Sequence, residues 1–459
     1  MGSSRPAHDL AVLGGQVVTP RGRSPLDLYS DGGRVTLLAT PDARRSAKRV
    51  IDATGCLVLP GMVDSHVHFM DPGDSTREDF IAGSSAAALN GVTTVVEHTH
   101  SWPVNTRARL IEKRRHLEGR SSVDFGLAAH VWPDHLDELE GMWREGIAFF
   151  KAFTCETHGI PASLSDTLFD TAEILGDLGA PCLVHCEDDL ITARNERRLR
   201  SAMRVDGGVI PEWRSREAEI VATGAVALTA KVTGARFIVA HASNPEVLRL
   251  IVRERREGAS IVAESCPQYM RLHEDEVHEA GAFRKFTPPA RIRSDQEEAD
   301  MWNAFNSGLV NHISSDHAPA TREQKLAGDI WEVHFGLPGI DTTLPLMLDA
   351  ASRGRTSFER VVEAYAEAPA RTYGLAAKGR LVPGGDADIV VYDPQGERLL
   401  SDERVCSRAG WTPYAGVPVR GTVRATLVRG SVVVEDGALV EGERVGQFVP
   451  GPGFWPDAD

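Results

Sequence analysis

The chain has no run of eighteen apolar residues, no Cys-x-x-Cys pair and no surplus of basic side chains. Each absence closes off a class of protein. Without a long apolar run there is no candidate bilayer span, and the opening MGSSRPAHDL lacks an apolar signal core, so no membrane partner is expected. Six cysteines lie scattered at 56, 155, 182, 186, 266 and 406. Cys182 and Cys186 bracket His185, but a zinc knuckle needs a second ligand pair at matching spacing, and none follows. Reduced thiols and a cytoplasmic location are the expectation. Fifty Lys and Arg stand against sixty-five Asp and Glu, a formal charge of −15. That balance argues against nucleic acid as a partner, because phosphate binding needs clustered cations. The basic stretch 194–200 is interrupted by Glu196 and reads as a solvated helix face.

What is present is an ordinary globular composition, 42% hydrophobic and 25% charged, over 459 residues. That length exceeds what one hydrophobic core usually fills, so two structural units are expected. Both ends read as short strands broken at Gly and Pro, as in DLAVLGGQVVTP near the start and GTVRATLVRGSVVVEDG near the end. These flanks, 1–58 and 376–459, predict one small β-sandwich assembled from both termini. Between them, over 59–375, short apolar runs alternate with helical stretches. The strands are expected at 59–66, 93–98, 124–130, 147–153, 181–185, 236–241, 260–264 and 311–315. Eight strands, each followed by a helix, are the pattern of an α/β fold of the (β/α)8 TIM-like barrel type.

Several of these strands end on residues that an apolar core would not choose: His66 and His68, Lys151, His185, His241, and Asp316 just beyond the last. In a barrel of parallel strands the carboxyl-terminal ends converge on one face, so these six groups would meet. His66 and His68, two apart on a strand, point to one side and suit one metal ion. Lys151 stands in GIAFFKAFT, where burial would favour a neutral, nucleophilic amine; the competing reading is a lysine snorkelling to solvent. His185 and His241, each closing an aliphatic run, suit a second metal, although either alone would read as a buried core histidine. Asp316 can bind a cation and accept a proton as general base, or simply cap a helix before Ala-Pro.

The motifs in order are PGMVDSHVHFMDPG at 60–73, GVTTVVEH at 91–98, FKAF at 150–153, VHCED at 184–188 and VAHASNPE at 239–246. ESCPQY at 264–269, SSDHAP at 314–319 and GLPGIDTTLPLML at 336–348 follow. This series resembles the amidohydrolase superfamily, in its cyclic amidase branch of allantoinases, hydantoinases (dihydropyrimidinases) and dihydroorotases. The resemblance implies a binuclear centre of two divalent ions, usually zinc. His66 and His68 hold one ion with Asp316, His185 and His241 hold the other, and Lys151 bridges both as a carbamate formed with carbon dioxide. Asp316 is then the catalytic proton acceptor, and a homo-oligomer, tetramer or dimer, is implied. Scaffold relatives of dihydropyrimidinases have lost metal ligands, whereas this chain keeps each one.

The substrate loops fit no single subfamily. Phe69-Met70 stands where dihydroorotases carry a carboxylate-binding arginine, and Glu156 stands where hydantoinases place a tyrosine five residues after the bridging lysine. HFMDPG and GLPGIDTTLPLML look more like allantoinases. The expected activity is therefore hydrolysis of a cyclic amide or ureide, allantoinase-like first, hydantoinase-like second, with a cyclic imide as a further alternative. Expected substrate contacts are Met70, His98, Cys155, Ser265, Tyr269, His317 and Phe335, with His100 and His158 as further candidates.

Overall fold

A computed structural model describes residues 8–442 and 444–455. The first seven strands are β1 (His8–Leu13), β2 (Gln16–Thr19), β3 (Gly22–Pro25), β4 (Asp27–Asp31), β5 (Arg34–Ala39), β6 (Ala47–Asp52) and β7 (Leu57–Pro60). The middle of the chain supplies β8 (Met62–Val67), β9 (Val92–Glu97), β10 (Asp124–Leu127), β11 (Ala129–His130), β12 (Phe150–Phe153), β13 (Pro181–His185), β14 (Arg236–Val239), β15 (Ile261–Ser265) and β16 (Val310–Ile313). Four more close the list: β17 (Ile389–Leu399), β18 (Pro418–Val428), β19 (Ser431–Glu435) and β20 (Ala438–Leu439).

Strands from both ends of the chain share one seven-stranded sheet of order β20-β19-β18-β17-β7-β2-β3, and β5-β4-β1-β6 form a second sheet. Alternate residues of the two sheets, among them Leu10, Val12, Leu28, Val58, Ile389 and Leu427, join in one buried apolar cluster. Inward alternation of this kind is what two stacked sheets require.

The central strands pair in parallel, β8-β9-β10 in one sheet and β11 through β16 in another. The break falls at Ala128, between β10 and β11, whose N–H still bonds to Glu97 O at 3.1 Å. At the other side an isolated parallel bridge joins Val67 to His317, and Ser315 N donates to Asp64 Oδ1 at 3.1 Å. Asp64 also accepts from Tyr365 at 2.7 Å, which ties β8 to the helical segment Glu363–Glu367. The expected strand at 59–66 is in fact two. Leu59 and Pro60 belong to β7, and Gly61 separates them from β8. A Cβ at Gly61 would stand 2.0 Å from Thr93 Oγ1, so the crossing is passable only without a side chain.

Helices follow the strands with chemically marked ends. Asn244 caps Pro245–Arg256 by accepting from Glu246 N and Val247 N at 3.0 and 3.1 Å, Pro245 occupies the first turn, and Arg253, Arg255 and Arg256 close the last. Among the described residues no helix is long and apolar enough to cross a membrane.

Candidate metal centre

The polar strand ends meet as their positions require. β8 carries His66 and delivers His68 just beyond it, β12 carries Lys151, β13 carries His185, and His241 and Asp316 follow β14 and β16. His66 Nε2 and His68 Nε2 both face Asp316 Oδ1, at 3.2 and 3.5 Å. Their other nitrogens are taken. His66 Nδ1 donates to Glu264 Oε1 at 2.7 Å, and His68 Nδ1 donates to His98 O at 2.7 Å. Each imidazole is thereby held in the tautomer that leaves Nε2 as a lone pair, the usual arrangement behind a metal ligand.

The second histidine pair is built likewise. His185 Nε2 donates to Glu187 Oε2 at 2.7 Å, which turns His185 Nδ1 toward His241 Nε2 at 3.0 Å. Burial pushes both imidazoles below their ordinary pKa, His241 well below, so neither is readily charged. Two facing nitrogens at that distance repel unless a proton or a cation lies between them. Burial likewise lowers Lys151, against the opposing pull of Glu264 and Asp316, and its ammonium nitrogen has no hydrogen-bond partner. Burial raises Asp316 and the neighbouring His66 and His68 lower it, for a net shift below the ordinary aspartate range. The donor set, two pairs of imidazole nitrogens and one carboxylate around an unpartnered amine, fits divalent cations.

The backbone is bent to serve this geometry. His241 and Asp316 take φ of 39° and 48°, in the left-handed region that non-glycine residues seldom enter. Met70 and His158 do the same at 54° and 55°. Asp316 caps no helix; Thr321 caps the next one, accepting from Gln324 N. Strain concentrated at polar strand ends is a mark of a working site.

A narrow cavity opens on this centre, lined by His66, His68, Lys151, His185, His241 and Asp316 together with His100, His158, Phe153, Phe286, Thr287 and Phe335. Of the expected substrate contacts, Phe335 and the further candidates His100 and His158 lie on that wall. His98 sits behind the metal-facing pair, its ring 4.6 Å from those of both His66 and His68. Met70 is buried and accepts from Thr99 Oγ1 at 3.3 Å. The Cys155 thiol faces Arg214 Nη1 at 3.1 Å, and burial pushes it up to about 12, so it is no thiolate despite lying near His185 and Glu187. Ser265 donates to Ala242 O and Tyr269 to Pro288 O, both at 2.8 Å. His317 accepts from Gly339 N and Ile340 N. These side chains build the walls behind the cavity.

Sequence reasoning passed over Glu264 and Glu187, the carboxylates that orient His66 and His185. Glu187 also accepts from Thr287 Oγ1 at 2.6 Å and lies 3.3 Å from Arg214. Burial raises it, but Arg214 and His185 outweigh that and bring its carboxyl down to about 2. Both residues stand inside quoted motifs, VHCED and ESCPQY; for Glu187 the available signal was an acid two residues from a strand-end histidine, and for Glu264 an acid closing the apolar run IVA.

The chain belongs to the amidohydrolase family, whose model matches residues 57–433. Membership implies a binuclear metal site. It is 34% identical to an allantoinase of Rubrobacter xylanophilus over 96% of this chain and 98% of that protein. It is 32% identical to an L-hydantoinase of Paenarthrobacter aurescens, again over 96% and 98%. Among solved structures it is similar to the L-hydantoinase (dihydropyrimidinase) from Arthrobacter aurescens, with a TM-score of 0.92, 31% identity and coverage of 96% and 100%.

Proposed function

We propose that this chain is a metal-dependent hydrolase that opens the C–N amide bond of a cyclic amide or ureide, with an allantoinase-like substrate. The reading places the active centre on a closed (β/α)8 barrel over 59–375, with a β-sandwich made of 1–58 and 376–459. It takes the protein as a cytoplasmic homo-oligomer, a tetramer or dimer. The observation that carries the chemistry is Lys151, a buried amine without a partner between two pairs of converging imidazoles. A neutral amine in that position can combine with carbon dioxide, releasing one proton, to give a carbamate.

His66, His68 and Asp316 would hold one divalent ion, His185 and His241 the other, and carboxylated Lys151 both; zinc suits such nitrogen and oxygen donors. When bound, such ions make water acidic enough to supply a nucleophile near neutral pH and polarise a carbonyl. Asp316 accepts the proton given up by water and returns it to the ring nitrogen as the C–N bond breaks. Its partial exposure toward the cavity, beside the imidazoles at 3.2 and 3.5 Å, puts its carboxylate within reach of a water and a ring nitrogen there. Glu264 and Glu187 fix the imidazole tautomers.

A hydantoinase-like reading is favoured by one feature, the rings of Phe153, Phe286 and Phe335 on the cavity wall, which suit an apolar ring substituent better than the ureido arm of allantoin. A panel of allantoin, 5-substituted hydantoins, dihydrouracil, dihydroorotate and cyclic imides, followed by loss of ring absorbance, decides between them. Allantoin is expected to open fastest. If no member of the panel is hydrolysed, the proposed reaction is wrong.

A further inference from the structure

A second cavity, of about 200 Å³, lies away from the metal centre, in the seam between helix Thr343–Ser352 and strands β17 and β18. One side of it is aliphatic, with Leu344 and Leu348 from the helix, Val423 from β18, and Leu400. The lining also carries Arg398 and Arg404. Arginines around this seam are otherwise matched with acids: Arg353 meets Asp349 and Glu397, Arg322 meets Asp402, and Arg408 meets Asp79. Arg398 and Arg404 form no ion pair among the described residues. Burial and the charge of Arg404 both push Arg398 below its ordinary range, and no carboxylate offsets them. Asp341 also lines the cavity, with its Oδ1 taken by Cys406 N at 2.8 Å, but among the described residues neither guanidinium has a carboxylate partner beside the aliphatic wall.

We propose that this seam is a binding site for a small organic anion, whose carboxylate lies between Arg398 and Arg404 and whose apolar body lies against Leu344, Leu348 and Val423. Paired guanidinium groups favour carboxylates through charge-assisted, often two-pronged hydrogen bonds. The aliphatic wall selects an anion with hydrocarbon surface over a bare inorganic one. The site also adjoins the catalytic loop. Helix Thr343–Ser352 begins directly after Gly339 and Ile340, whose amides hold His317 next to Asp316, and Asp341 ties that loop to Cys406 N at 2.8 Å.

Benzoate is a suitable probe, titrated calorimetrically into the full chain, with inorganic phosphate in parallel. The wild type is expected to bind one benzoate per chain saturably, and more tightly than phosphate. The double variant Arg398→Gln/Arg404→Gln is expected to bind benzoate at least about tenfold more weakly, with its unfolding midpoint and hydrolytic rate unchanged. Arg404→Glu alone, at an exposed side chain, is expected to weaken benzoate in the same direction. No benzoate binding to the wild type, or binding equal in wild type and variants, would overturn the site. Phosphate bound as tightly as benzoate would overturn the organic-anion class.

Discussion

Lys151 and Lys378 are both buried, with relative exposures of 1% and 2%, yet the chain treats them in opposite ways. Lys378 sits among three aspartates. It bonds to Asp124 on β10 and lies 2.8 and 2.9 Å from Asp386 and Asp388, just before β17. Burial lowers its pKa, but the three carboxylates more than reverse that, and the ammonium is held charged. Asp124, Asp386 and Asp388 lie close enough together to resemble a cation site, and Lys378 meets all three, with Arg429 pairing to Asp124 and Arg34 to Asp386. The result is a clamp between the central strands and the seven-stranded sheet. Lys151 receives no such countercharge at hydrogen-bonding distance, and its pKa falls. Burial and residue type are the same at both places; the partners decide whether a lysine locks two sheets together or remains open to chemistry.

The contrast can be broken from either side. The largest effect is expected at the metal centre, where Asp316→Asn should cost about 10²–10⁴ in kcat on the best substrate, with little change in the unfolding midpoint. At the clamp, Lys378→Met leaves three buried carboxylates facing one another. It should lower unfolding free energy by about 3–5 kcal/mol in denaturant titration, with metal content per folded chain unchanged. Between the two lies Glu264→Gln, which keeps the shape but alters the group that orients His66. It should weaken metal affinity about 10–100-fold in competition with a chelator while the fold is retained. The smallest effect is expected at the cavity wall. Phe335→Ala should shift the preference among 5-substituted hydantoins by about 10-fold through KM and kcat together, without touching metal content.

The positions of the central strands were legible because each pairs an aliphatic run with a polar end, and the six groups proposed as metal-facing fall at those ends. Strand boundaries were less so. Phe150–Phe153 begins three residues after the expected edge, although Ile147–Phe149 is buried and still bonded to its neighbours, Ala148 N donating to Leu127 O at 2.8 Å. The first strand was misjudged because Leu59 and Pro60 have the same apolar character as β8 yet pair with β17. The substrate wall was the least legible part. Ser265, Tyr269 and Cys155 carry groups suited to binding, but their polar atoms are committed to a carbonyl or a guanidinium elsewhere in the chain. Phe286 and Thr287, which do face the cavity, come from a loop whose sequence has no periodic signal.

Whether an unpartnered buried lysine organises two metal ions is read out by counting metal in purified wild type and Lys151→Ala. The account predicts about two divalent ions per wild-type chain, their loss in the variant, and their return together with activity when a short carboxylic acid is added to stand in for the carbamate. One ion per chain in the wild type, or a variant that keeps both its metal and its activity, would contradict it.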